Sequence, residues 1–176
     1  MGRSRRYRPI VPHHRFDPDR SSLSIDGRSS VHPIRATAEG VVGWLEVDDG
    51  GTPITGHLTV EVRELHTGNP LYDREIRNRL DAGTFPTFEA HLTTVHGRGD
   101  GGDGDGHRVT GAVSAHGVQT DLEGTLEVRA DGDGFTVTGS EQVDFRQFGL
   151  KAPRILTLKV DPIVTVTLDA VTFAAD

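Results

Sequence analysis

The 176-residue sequence contains no cysteine. That single absence excludes thiol catalysis, zinc–thiolate sites and disulfide stapling together. No segment approaches the ~20 consecutive apolar residues that a helix needs to span a bilayer, so stable membrane insertion is not expected. An excess of positive charge is missing as well. The formal net charge is −7, which disfavours non-specific association with nucleic acid. The short signatures of common catalysts are also absent. There is no G-x-S-x-G elbow, no H-E-x-x-H pair, no phosphate loop and no dinucleotide fingerprint.

Positive charge gathers only at the start, in Arg3, Arg5, Arg6, Arg8 and Arg15. Pro9, Pro12, His13 and His14 stand where a secretion signal would place its apolar stretch. Residues 1–15 are therefore expected to form a basic flexible arm, and residues 16–176 one domain in a cytoplasmic protein. That length buries a core without covalent staples.

What the sequence does have is alternation of period two, the mark of strands with one dry and one wet face. Leu58, Val60 and Val62 alternate with Thr59, Glu61 and Arg63. The same pattern recurs through Phe88–Leu92, Val109–Ala115, Leu122–Val128, Phe135–Gly139 and Val164–Ala170. Leu23 and Ile25 mark a short strand. Residues 34–47 read as one bent strand or two, because Ile34, Ala36, Ala38, Val42 and Trp44 share one parity and Leu45 and Val47 the other. A bulge near Gly40 or Gly43 accounts for the switch. Asp49-Gly50-Gly51, His116-Gly117 and Asp131-Gly132-Asp133-Gly134 have tight-turn chemistry. The glycine–aspartate run from Arg98 to Gly106 reads as a mobile hairpin loop. It fails as a calcium loop, since its third position from Asp100 is Gly102 and the twelfth from Asp103 is Ser114.

One helix interrupts the strands. Asn69 can cap it, Pro70 suits its first position, and Tyr72, Ile76 and Leu80 make one apolar stripe. Gly83 and Pro86 are expected to end it. The later stretch from Asp144 to Val160 is too apolar for a free loop. These signals give an all-β antiparallel domain of about eight strands with a short helical insertion and an apolar lid segment. Closure into a barrel would remove the exposed sheet edges, although a two-sheet sandwich would alternate in the same way. Several inward positions are small, namely Ala90, Gly111, Ala115, Gly124 and Gly139. Small inward residues leave either an apolar cavity or room for a neighbouring ring.

Four pieces of the chain resemble the YceI-like family in order and spacing. They are Phe16-Asp17-Pro18-Asp19-Arg20-Ser21; Leu65 to Arg74 followed by Phe85-Pro86-Thr87-Phe88; Val109 to Val118; and Asp144-Phe145-Arg146-Gln147-Phe148-Gly149-Leu150. Arg20, Glu75 and Leu80-Asp81-Ala82 depart from the family's usual residues. The resemblance implies an eight-stranded lipocalin-like barrel with a cavity for a long-chain apolar lipid, polyprenyl or similar, and it makes a homodimer plausible.

In such a barrel the lining falls to Leu58, Val60 and Val62, to Phe88 and Leu92, and to Val109 and Val113. Leu126, Phe135, Val137, Val164, Val166 and Leu168 complete it. Arg74 and Arg77, with Arg79 beside them, are placed to meet a charged head group, and Lys151 and Arg154 flank the lid. The helix Asn69–Leu80 and the segment 144–160 would close the mouth. His91, His107 and His116 fall on the wet parity or at strand ends with no alternating carboxylate or thiolate in view, so neither metal nor cofactor is expected. Glu141 alone among the carboxylates falls on an inward parity, too little for acid–base chemistry. The expected function is to bind and carry, or sense, an apolar lipid without chemistry. A filled barrel serving as a protein-interaction or stress-associated module is the alternative, and an enzyme acting on a lipidic substrate is a distant third.

Overall fold

The computed structural model describes residues 13–98, 106–151 and 154–175. Twelve strands, one α-helix and three short 3-10 turns alternate along them. The strands are β1 (His13–Phe16), β2 (Ser22–Arg28), β3 (Pro33–Glu39), β4 (Val42–Val47), β5 (Pro53–Glu61), β6 (Thr87–Arg98), β7 (Gly106–Ala115), β8 (Val118–Asp131), β9 (Gly134–Asp144), β10 (Arg154–Ile155), β11 (Leu158–Lys159) and β12 (Ile163–Ala174). Helix α1 (Pro70–Arg79) lies between β5 and β6.

The sheet closes. Pairing runs β1-β4-β5-β6-β7-β8-β9-β12, and β12 returns to β1 through His14 opposite Ala174 and Phe16 opposite Thr172. β2 continues the wall begun by β1 and pairs with β12 from Ser22 to Asp26, while β3 pairs with β2 and runs on into β4. The wall therefore has eight positions, all antiparallel, and of the two architectures that alternation left open it is the closed barrel that forms.

The bend between β3 and β4 explains the parity switch. Ala38 and Val41 are both fully buried although three residues apart. Gly40 takes the extra step with φ +75°, a conformation that costs a side-chain-bearing residue. Val42 and Trp44, read with the inward set, consequently point outward, and Leu45 and Val47 are buried in their stead. At Gly43 the strands come so close that a Cβ would lie 2.0 Å from the His57 carbonyl oxygen. Only glycine lets β4 and β5 approach at this corner.

Helix α1 starts as its sequence predicts. The Asn69 side chain accepts from the Leu71 N–H at 3.0 Å, and Pro70 opens the first turn. Its end differs from expectation. Asp81, not Gly83, takes the left-handed position, with φ +48°. Asp81 N–H donates to Asn78 O, and Ala82 N–H to Arg77 O, so a Schellman pair closes the helix two residues earlier.

The barrel begins at His13, ahead of the expected boundary at Phe16. The remainder of the basic arm, residues 1–12, and the glycine–aspartate run at 99–105 lie outside the described residues. One end of the barrel is solid. Ala38, Val41, Val60, Val62, Leu65, Val137 and Ala170 are all 1% exposed or less. His14 is buried beside them, with its ring edge-on to Phe135 at 4.8 Å and its Nδ1 without a hydrogen-bond partner among the described residues.

Burial, with His13 adding to it against Asp133, holds the His14 imidazole below its ordinary range. His57 is lowered too, by partial burial and by His91, with Glu89 opposing. Above about pH 6.5 both the folded and the unfolded chain keep these rings neutral. As pH falls through that value the unfolded chain takes up protons that the folded chain resists, so stability declines. Replacing His14 by phenylalanine is expected to reduce the loss of Tm between pH 7.5 and 5.0, measured by thermal denaturation. An identical loss in both proteins would remove His14 as a contributor.

Candidate functional site

Above the solid end the inward side chains become smaller and the barrel is hollow. The cavity measures ≈ 670 Å³, within the roughly 300–1,000 Å³ usual for small-molecule sites. Ala90, Gly111, Ala115, Gly124 and Gly139 all line it. At Gly139 a Cβ would fall 2.9 Å from Leu126 Cδ2 and 3.1 Å from the Thr125 carbonyl. Glycine there both withdraws volume and lets β8 and β9 approach. Among the described residues no aromatic ring fills the space, so these small residues leave a cavity and not a filled interior.

The cavity floor is the upper surface of the core, formed by Phe16, Leu23, Leu45, Leu65, Val137 and Leu168. Its walls include Leu58 of β5, Phe88 and Leu92 of β6, Val109 and Val113 of β7, Leu126 of β8, and Val164 and Val166 of β12. Three residues expected in the lining lie elsewhere. Val60 and Val62 are sealed in the core beside Ala38 and Val41 at the β3–β4 bend, and Phe135 packs at the closed end against His14. Their parity is inward as expected. Parity gives the face of a strand but not whether neighbouring side chains already fill the space it faces, and around these three they do.

At the other end Ile76 and Leu80 of α1 meet the cavity from one side. Phe145, Phe148 and Leu150 meet it from the opposite side. Asp144 caps the short turn Phe145–Phe148 by accepting from Arg146 N–H at 3.0 Å, and the Arg146 guanidinium binds the same carboxylate at 2.7 Å. That partner holds the Asp144 carboxyl below its ordinary range. The β10–β11 hairpin places Leu158 and Val160 against Ile34, Tyr72 and Ile76. The helix and the 144–160 segment thus frame the mouth, as their apolar residues predict.

The cations at the mouth are Arg79 and Lys151. Arg74 and Arg77, the expected pair, do not line the cavity. The helix period explains the difference. With Ile76 facing inward, Arg79 lies about 60° away around the axis, whereas Arg77 lies about 100° and Arg74 about 160° away. Arg79 also donates from Nε to Glu75 Oε1 at 2.9 Å, which fixes its position over the rim.

Among the described residues the wall has a seam between β8 and β9. β8 and β9 pair from Asp131–Gly134 only as far as Leu126–Gly139. Beyond that point β8 keeps its ladder with β7 and β9 keeps its ladder with β12, but among the described residues no ladder joins the two. Glu141 sits in the gap, and its Oε1 accepts from Thr125 N–H at 3.0 Å. The inward-parity carboxylate is therefore an exposed bridge across the seam. His107, read as wet, is buried at the start of β7. His116 occupies a left-handed turn position, φ +51°, and packs on Phe85.

Residues 14–172 match the YceI-like domain. The chain belongs to that family. Solved structures similar to this YceI-like barrel include Burkholderia cenocepacia BcnA, at TM-score 0.76 and 17% identity over 89% of this chain and 98% of that one. A polyisoprenoid-binding domain from Saccharophagus degradans, implicated in plant cell wall breakdown, has TM-score 0.73 and 15% identity over 94% and 99% of the two chains. The Campylobacter jejuni YceI protein follows at TM-score 0.67 and 12% identity, over 81% and 85%. No curated protein sequence matches the chain. At these identities the shared property is the barrel.

The two regions of the YceI-like interior should answer differently to added volume. Leu126→Trp points a large ring into the cavity and is expected to leave Tm unchanged or raised. Val60→Trp in the sealed core should cost at least ~1–3 kcal/mol through overpacking. Chemical denaturation of the two variants checks both, and an equal loss in each would mean that the cavity is not available space.

Proposed function

We propose that this protein binds and carries, or senses, one long-chain apolar lipid of isoprenoid type inside its barrel, without transforming it. The observation that carries this reading is the cavity. It is deep, closed at one end by a packed core, and walled by aliphatic and phenylalanine side chains. An apolar chain entering it leaves water along its whole length. Among the described residues the cations that border it, Arg79 and Lys151, stand at the rim, where a phosphate or carboxylate head would end up once the chain is inside. The family, and the polyisoprenoid-binding description of the Saccharophagus degradans domain, support the choice of an isoprenoid chain.

Catalysis has no comparable support. Glu141 is engaged with a backbone amide, and Arg79 with Glu75. A binding site needs only the apolar lining and the rim charge, and both are in place.

Affinity should track chain length. Each buried CH₂ contributes about 0.8 kcal/mol, so each added carbon should tighten binding about fourfold until the cavity is full. Isothermal titration with linear and prenyl alcohols of increasing length reads this slope directly. The matching alkyl and prenyl phosphates should bind more tightly than the alcohols, and Arg79→Gln with Lys151→Gln should remove that preference. Native mass spectrometry of protein purified gently from its own host then identifies what occupies the barrel. A length-independent signal, or no uptake of any of these probes, would overturn the carrier reading.

A further inference from the structure

Three residues that border the cavity through their strands, His57, Glu89 and His91, have the outward parity of β5 and β6 and no part in the lipid site described above. His57 of β5 stands directly opposite His91 of β6 in the antiparallel ladder. Glu89 lies two residues before His91, so it projects from the same outer face. The rings of His57 and His91 are 4.2 Å apart between centroids, inclined at 31°. One donor atom from each of His57, Glu89 and His91 lies within 4.8 Å of the other two. Neither imidazole makes a hydrogen bond among the described residues, and Glu89 has only a long one, from Thr87 Oγ1 at 3.4 Å.

We propose that His57, Glu89 and His91 form a binding site for a divalent transition-metal ion of the zinc type. Two imidazoles and one carboxylate are borderline donors suited to such ions, and they leave further positions open for water or an outside ligand. Bond lengths of about 2.0–2.2 Å require donors roughly 3.4 Å apart at a tetrahedral centre. The three donors need to converge by about an ångström or so, a movement of side-chain rotamers and not of backbone. The backbone cannot splay, because the β5–β6 ladder runs unbroken from Glu61 opposite Thr87 to Gly56 opposite Leu92. A bound ion would cross-link these two strands on the side away from the lipid cavity.

Trp44 gives the site a built-in reporter. It is the sole tryptophan and is the ladder partner of His57 on β4. Paramagnetic Co²⁺ or Ni²⁺ bound at His57 should quench its fluorescence. The experiment uses the full chain after chelator treatment, titrated with Co²⁺ by fluorescence and with Zn²⁺ by calorimetry. Saturable 1:1 binding is expected, weakened at least tenfold by His57→Ala and by His91→Ala and several-fold by Glu89→Gln. His91 is exposed, so its variant should keep the metal-free Tm of the parent, which separates lost ligation from lost folding. Zn²⁺ should raise the Tm of the parent and not of these variants. His13, stacked on Trp44 at 4.9 Å, is the competing ligand, and His13→Ala should leave binding intact. Absence of saturable binding, affinity in the His57 and His91 variants equal to the parent's, or loss only in the His13 variant would overturn the site.

Discussion

The meeting of the first and last strands governs the rest of this molecule. β12 is hydrogen-bonded along its length to β9 and, on its other edge, to β2 and then β1. Without that second edge the sheet would present two open rows of amides and carbonyls, and its apolar face would have nothing to enclose. With it, inward and outward become fixed directions for every strand. A residue's place in the alternation then decides whether it meets lipid-like surroundings or water. Closure also sets a girth at which eight strands nearly fill themselves, so the size of the inward side chains alone decides whether space remains.

That decision is made differently at the two ends. Near the β3–β4 bend, Val41, Val60, Val62, Leu65 and Val137 meet without gaps. Higher up, the same strands place glycine and alanine where a valine or leucine would otherwise stand, and the packed core gives way to a chamber. The apolar segments around Ile76 and Phe148 are explained by the same fact. They have a hollow to cover, and burial against it holds them in place.

Much of this was legible in the sequence because period-two alternation is a strong local signal, and Asn69-Pro70 and His116-Gly117 carry their own stereochemistry. The losses have a common physical cause. Alternation reports which face a side chain takes, but not whether its neighbours fill the space there, so Val60, Val62 and Phe135 could not be told from true lining residues. It does not report cross-strand neighbours either. The His57–His91 pair exists only through the β5–β6 register, and no run of sequence contains it. The strand at His13 was obscured by its polar, basic composition next to two prolines. Arg79 was separable from Arg74 and Arg77 only once the inward face of α1 was known.

The incomplete ladder between β8 and β9 has a mechanical consequence. A ring zipped all the way round has a fixed circumference, because widening it means breaking backbone hydrogen bonds on some strand. This ring is zipped on seven of its joints and only partly on the eighth, where one carboxylate–amide contact, Glu141 to Thr125, spans the unzipped stretch. The contact is exposed and breaks at little cost, since water can replace either partner. The barrel can therefore change its girth at cavity height while its solid end stays rigid. A ring built that way is stiff everywhere except along a single line.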